Sequence, residues 1–170
     1  MKKPLLKPLF LALALLAPAC GGSGPDIAKD PVAALEQGNK AASSKDYDTA
    51  ERAYAAVAEN PAAEPALRKE ALLGLGETQA AVGKGEAASS TFDRLQKEFG
   101  DQLDLRSAKR MVDVFLKSHD AEKARQELHW LAGKFDSPAG KAVVATLQKA
   151  VQALASGDES ALAELGYAGD

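Results

Sequence analysis

Residues 71 to 99 read Ala71-Leu-Leu-Gly-Leu-Gly-Glu-Thr-Gln-Ala-Ala-Val-Gly-Lys-Gly-Glu-Ala-Ala-Ser-Ser-Thr-Phe-Asp-Arg-Leu-Gln-Lys-Glu-Phe99. Two amphipathic helical patterns meet here at a glycine turn. Leu75 and Gly76 sit in the first helix and Gly83 at the turn, while Ala88, Phe92 and Leu95 recur at the spacing that puts them on one face of the second. The stretch predicts a helical hairpin, and its design repeats on both sides.

Upstream, Asp30-Pro31 opens a first helix, with Asp able to cap and Pro pre-set for the first turn. That helix runs to about Ser44. Lys45-Asp46 makes the turn, and Tyr47, Ala50, Tyr54 and Val57 stripe its partner, which Asn60-Pro61 stops. The second hairpin starts near Pro65 and ends at Phe99-Gly100. Downstream, Leu105, Ala108, Met111, Val112 and Phe115 mark one helix, and Ala121, Ala124, Leu128, Leu131 and Phe135 a narrow stripe on the next. His119 takes the place of the turn glycine, and His is among the residues that tolerate the left-handed region. Ser137-Pro138 opens a longer helix through Leu154, Gly157 breaks it, and Glu159 to Leu165 form a short last one. Equivalent positions in the second helices, Ala50, Ala88, Ala124 and Leu162, recur 38, 36 and 38 residues apart.

The layout of Leu75-Gly76, Gly83, Ala88 and Phe92, and the run Asp46-Tyr47-Asp48-Thr49-Ala50 with Tyr54 beyond it, resembles a tetratricopeptide repeat. In that family the Leu-Gly pair lets the two helices approach, and an aromatic closes the hairpin core. The longer unit is similar to the periplasmic repeats of the TolA-binding coordinator family, the Bam-complex repeat lipoprotein and type IV pilus pilotins. The resemblance covers about Pro31 to Leu165. It implies an all-α fold, a short right-handed solenoid of about three and a half helical hairpins over residues 30–170, whose truncated last hairpin caps the open end. The rival architecture is a helical bundle without repeats.

Composition fits that class. The 170 residues are 46% hydrophobic and rich in alanine, and only 5% aromatic, which favours close-packed helices over strands. Residues 1–19 have the layout of a secretory signal peptide: Lys2, Lys3 and Lys7, then an apolar run from Leu9 to Ala17, then small residues. Leu16-Ala17-Pro18-Ala19-Cys20 resembles a bacterial lipobox, which implies lipidation of Cys20 and cleavage before it. An ordinary cleaved signal that leaves a free thiol is the alternative. Residues 20–29 then form a lipidated Cys and a flexible tether. By the same resemblance, Gly21 after the Cys implies an outer-membrane location facing the periplasm. Cleavage leaves 18 basic against 24 acidic residues, so general nucleic-acid binding is disfavoured and membrane contact falls to the lipid.

No catalytic site, metal site or cofactor is expected. Ser118-His119-Asp120 contains the triad residue types, but adjacent residues do not converge on one reaction centre, and a turn with Asp120 capping the next helix explains them. Neither His has a ligand at metal spacing, and Gly74-Leu75-Gly76 and Gly83-Lys84-Gly85 lack the rest of a phosphate loop. The scattered acidic residues read as a solvated face, and so does His129.

Repeat arrays bind other proteins or peptide segments along the wall made by their first helices. Arg106, Lys109, Arg110, Asp113 and Lys117 form a mostly basic stripe there, with Asn39, Leu73 and Glu77 completing the expected groove. Arg106, Arg110 and Asn39 match positions of a carboxylate clamp in related arrays, but Leu35 and Gly74 do not, so that activity is not carried over. Trp130, the only tryptophan, lies off the stripe of its helix and is the second candidate for partner binding, with packing against the fourth hairpin as the alternative. The functional expectation is a membrane-anchored periplasmic scaffold for cell-envelope proteins. A structural lipoprotein without a specific partner and a small-ligand-binding helical domain remain alternatives.

Overall fold

The structure, a computed structural model, describes residues 26–167, and within them the chain is all-helical. The helices in order are α1 (Pro31–Ser43), α2 (Tyr47–Ala58), α3 (Pro65–Ala81), α4 (Gly85–Phe99), α5 (Leu105–Lys117), α6 (Ala121–Lys134), α7 (Pro138–Ser156) and α8 (Glu159–Glu164), with one 3-10 turn at Gly100–Gln102. The expected signal peptide, Cys20 and the glycine-rich part of the expected tether lie outside the described residues. No described helix is long and apolar enough to cross a membrane.

Local sequence explains where the helices start. Asp30, Asp46, Asp104, Asp120, Ser137 and Asp158 each accept a hydrogen bond from the backbone N–H three residues on. Each such cap is worth about 1 kcal/mol because it satisfies an orphan donor of the first turn. Pro31, Pro65 and Pro138 occupy first-turn positions, where a missing N–H costs nothing.

The stops share a single device, which closes α1, α3, α5 and α7 and recurs at Gly166 after α8. Lys45, Gly83, His119 and Gly157 all have left-handed backbones, with φ of 61°, 76°, 57° and 70°. At each, the next residue's N–H bonds back to the helix: Asp46 to Ala41 O, Lys84 to Gln79 O, Asp120 to Phe115 O and Asp158 to Ala153 O, at 2.8 to 2.9 Å. The turn residue itself bonds to Ala42, Ala80, Leu116 and Leu154 respectively. This is a Schellman closure, which satisfies carbonyls that a helix end leaves without partners. The first residue of the packed face of α2, α4, α6 and α8 follows five positions later. Ala50, Ala88, Ala124 and Leu162 are all fully buried.

Packing follows the glycines. A methyl group on Gly76 would lie 2.3 Å from the Phe92 ring, so α3 and α4 can close only because that position lacks one. Phe92 in turn meets Phe115 of α5 edge to face, centroids 5.7 Å apart, which joins the second hairpin to the third. Tyr54 of α2 is clasped in the same way between Gly38 of α1 and Gly74 of α3. Successive helices pack in pairs, and α1 also lies against α3, α3 against α5, and α5 against α7. The single core runs through all of them. Arg68 and Arg94 donate to the Ala58 carbonyl at 3.4 and 3.2 Å, and both pair with Glu98, closing the free end of α2.

Candidate functional site

The expected groove residues lie on α1, α3 and α5, and the structure sorts them into three groups. The first gathers around Tyr54. Its ring passes between α1 and α3, and its hydroxyl donates to Asn39 Oδ1 at 2.8 Å. Arg110 of α5 donates from Nε and Nη2 to both carboxylate oxygens of Glu77, each at 2.8 Å, and reaches Glu70 at 3.4 Å. The parallel two-bond geometry fixes the guanidinium plane. Burial, then the Glu77 and Glu70 carboxylates, push the Tyr54 phenol up to about 12. Burial alone would lower Arg110, but the Glu77 bond and the two carboxylate charges outweigh it and hold it above its ordinary value.

The second group is Lys109 and Asp113. The ammonium sits 2.5 Å from Asp113, and Tyr167, which returns from beyond α8, donates its hydroxyl to the same carboxylate at 2.6 Å. Lys109 also stands over the Tyr167 ring. Burial, with the Asp113 bond, raises the Tyr167 phenol, so it stays a donor.

Arg106 and Lys117 make up the third. Both are exposed, and neither pairs with a carboxylate among the described residues. The sequence stripe is therefore not uniformly available: its middle is neutralised by Glu77, Glu70 and Asp113, and its ends carry the free positive charge. Glu77, Arg110, Asp113, Val114 and Lys117 line a recess of about 400 Å³ between α3 and α5.

Two expectations are corrected. Leu73, assigned to the groove, is buried, because α3 is enclosed by α1, α2, α4 and α5 and has little free face. The acidic residues are not all solvated: Glu127 of α6 is only 3% exposed. Gln96 of α4 donates from Nε2 to its Oε2 at 2.6 Å. Burial, with the nearby Asp93 charge, pushes the carboxyl up to about 8 against the opposing Gln96 bond. Its position carries a signal in the sequence, since 127 lies three after Ala124 and four before Leu131, on the apolar stripe.

Trp130 is half-buried and faces α4 rather than α7: its Cζ2 would lie 3.9 Å from a methyl on Gly100. It borders a second recess, of about 690 Å³, shared with Asp93, Gln96 and Glu127. His129 is exposed, as expected, and opens onto a third, of about 410 Å³, between α6 and α7. His119 sits at the α5–α6 turn and Asp120 caps α6. Comparison with protein-family models, with curated proteins and with solved structures finds no match to this chain.

Proposed function

We propose that the chain is a lipid-anchored periplasmic scaffold, held at the outer membrane through Cys20, whose hairpins stack as a tetratricopeptide-like right-handed solenoid and bind envelope proteins or their peptide segments. The observation that carries this reading is the recurrence of one turn between the helices of each pair, at Lys45, Gly83, His119 and Gly157, each with the same pair of backbone bonds. A hairpin repeated at near-constant spacing cannot bury its apolar faces alone and must stack. Adjacency of α1, α3, α5 and α7 is what stacking of first helices on one wall requires.

Along that wall the binding element is the α3–α5 recess, with Lys117 as a free cation on its lining, Arg106 as another one turn before Arg110 on α5, and the Arg110–Glu77 pair as a fixed floor. An extended, mostly acidic segment fits this pattern: it meets free positive charge without displacing a pair already made. Binding of this kind needs no turnover and no cofactor.

A photocrosslinker at Arg106 in intact cells tests the groove. The expected result is one discrete envelope protein captured there and not from Lys97, an exposed residue of α4. Background alone from both positions refutes it. Fractionation tests the anchor: Cys20→Ser is expected to leave the membrane fraction, and a retained variant refutes lipidation as the attachment.

A further inference from the structure

The recess between α4 and α6 presents an electrostatic problem that the chain leaves unsolved. Glu127 is almost completely buried, and buried carboxylates are ordinarily paired with a cation. Here its one side-chain partner is the neutral amide of Gln96, on Oε2. No described group donates to Oε1. Among the described residues every side-chain oxygen sealed from solvent has a hydrogen-bond partner, so Oε1, which has none, is not sealed, and the recess that Glu127 lines is the space beside it. The charge that acts on Glu127 is a second carboxylate, Asp93, also on the lining. Lys134 also lines the recess, where it is already paired with Asp101 at 3.4 Å. The wall is completed by Gln126, Gly133, the ionisable side chain of His129, and Trp130, whose indole is half-buried.

We propose that this recess is a binding site for a guanidinium group, such as the head of an arginine side chain. The cation would supply the charge that Glu127 and Asp93 lack. Guanidinium fits better than ammonium for two reasons. It is planar and stacks on an indole, and its five N–H donors can be shared among several acceptors at once. The acceptors present are Glu127 Oε1, the Asp93 carboxylate and the carbonyl oxygen of Gln96, whose amide nitrogen is the group that bonds Glu127. The site lies on the even-numbered helices, away from the Arg106 wall, and does not depend on the scaffold reading.

Because the chain has one tryptophan, its fluorescence reports on this recess alone. The experiment titrates the full chain with N-acetyl-arginine methylamide and with the citrulline analogue, which has nearly the same shape and no charge. The expected result is a saturable change in Trp130 emission with the arginine probe and none with citrulline. Since Glu127 ionises around 8 and its charged form is the one that binds, affinity should rise roughly thirtyfold between about pH 6.5 and about pH 9. Glu127→Gln should abolish the response and its pH dependence. Asp93→Asn, at an exposed position, should weaken binding without disturbing the fold, and Glu164→Gln, at an exposed position of α8 outside the recess, should change nothing. Agmatine separates the sources: affinity equal to the amino-acid amide indicates a free guanidine, and tighter binding of the amide indicates a side chain of a polypeptide. An equal response to citrulline, undiminished binding by a folded Glu127→Gln chain, or no response at about pH 9 overturns the proposal.

Discussion

Replacing Glu127 by Gln should make the protein more stable at neutral and alkaline pH and flatten its dependence on pH. Gln keeps the shape, and its carbonyl can still accept the Gln96 bond. What changes is the proton. Below 4.5, the carboxyl's ordinary value, Glu127 is protonated in both folded and unfolded chains and carries no penalty. Between 4.5 and about 8 the unfolded chain holds the carboxylate while the folded chain keeps the proton, so stability falls as pH rises. Above about 8 both are ionised and the loss is complete. At about 1.4 kcal/mol per pH unit, the loss is about 3 kcal/mol by neutral pH and about 5 kcal/mol once the folded form has titrated. Against a total stability of about 5 to 15 kcal/mol this is a large share. Urea denaturation of the two chains at a series of pH values measures it. Contributions from Asp104 and Glu98, which bonded partners hold below their ordinary values, are common to both proteins and cancel in the difference. Parallel stability profiles from pH 5 to pH 8 would refute the buried, charge-starved environment assigned to Glu127.

Three further substitutions test the packing. Phe92→Ala removes a fully buried ring that touches both Gly76 and Phe115 and should cost about 3 to 5 kcal/mol, read by thermal or urea unfolding. Gly76→Ala should also destabilise, by about 1 to 3 kcal/mol, even though Ala is the better helix former, because the added methyl meets the Phe92 ring; a gain in stability would show that α3 and α4 are not in this contact. His119→Gly should stabilise by about 0.5 to 1 kcal/mol, since φ of 57° strains a side chain and glycine adopts it freely, less the entropy that glycine adds to the unfolded chain.

Much of the fold was legible because its signals are local. A cap needs one oxygen three residues before an N–H, and Asp30, Asp120 and Ser137 announced theirs. The turns needed only a residue that accepts a left-handed backbone, so even His119 in place of glycine could be read. The Leu75-Gly76 pair implied a close approach, and Phe92 proved to be what approaches. The groove was legible only in part. Asn39, Glu77 and Arg110 come together around Tyr54, but the pairing of Arg110 with Glu77 and of Tyr167 with Asp113 joins residues on separate stretches, and spacing within one helix is blind to it.

By itself, then, the sequence determined the helices, their ends and the faces along which each hairpin closes, because caps, turn conformations and apolar periodicity act within one or two turns of chain. The tertiary structure alone decided how many sides of each helix are covered. Periodicity marks one apolar face, yet α3 is surrounded and buries Leu73 as deeply as Leu72. The same crowding seals Glu127 beneath Gln96 and turns Trp130 toward α4. Burial is a property of neighbours brought from elsewhere in the chain, and so the charge state of Glu127, and with it the chemistry of that recess, exists only once the helices have packed.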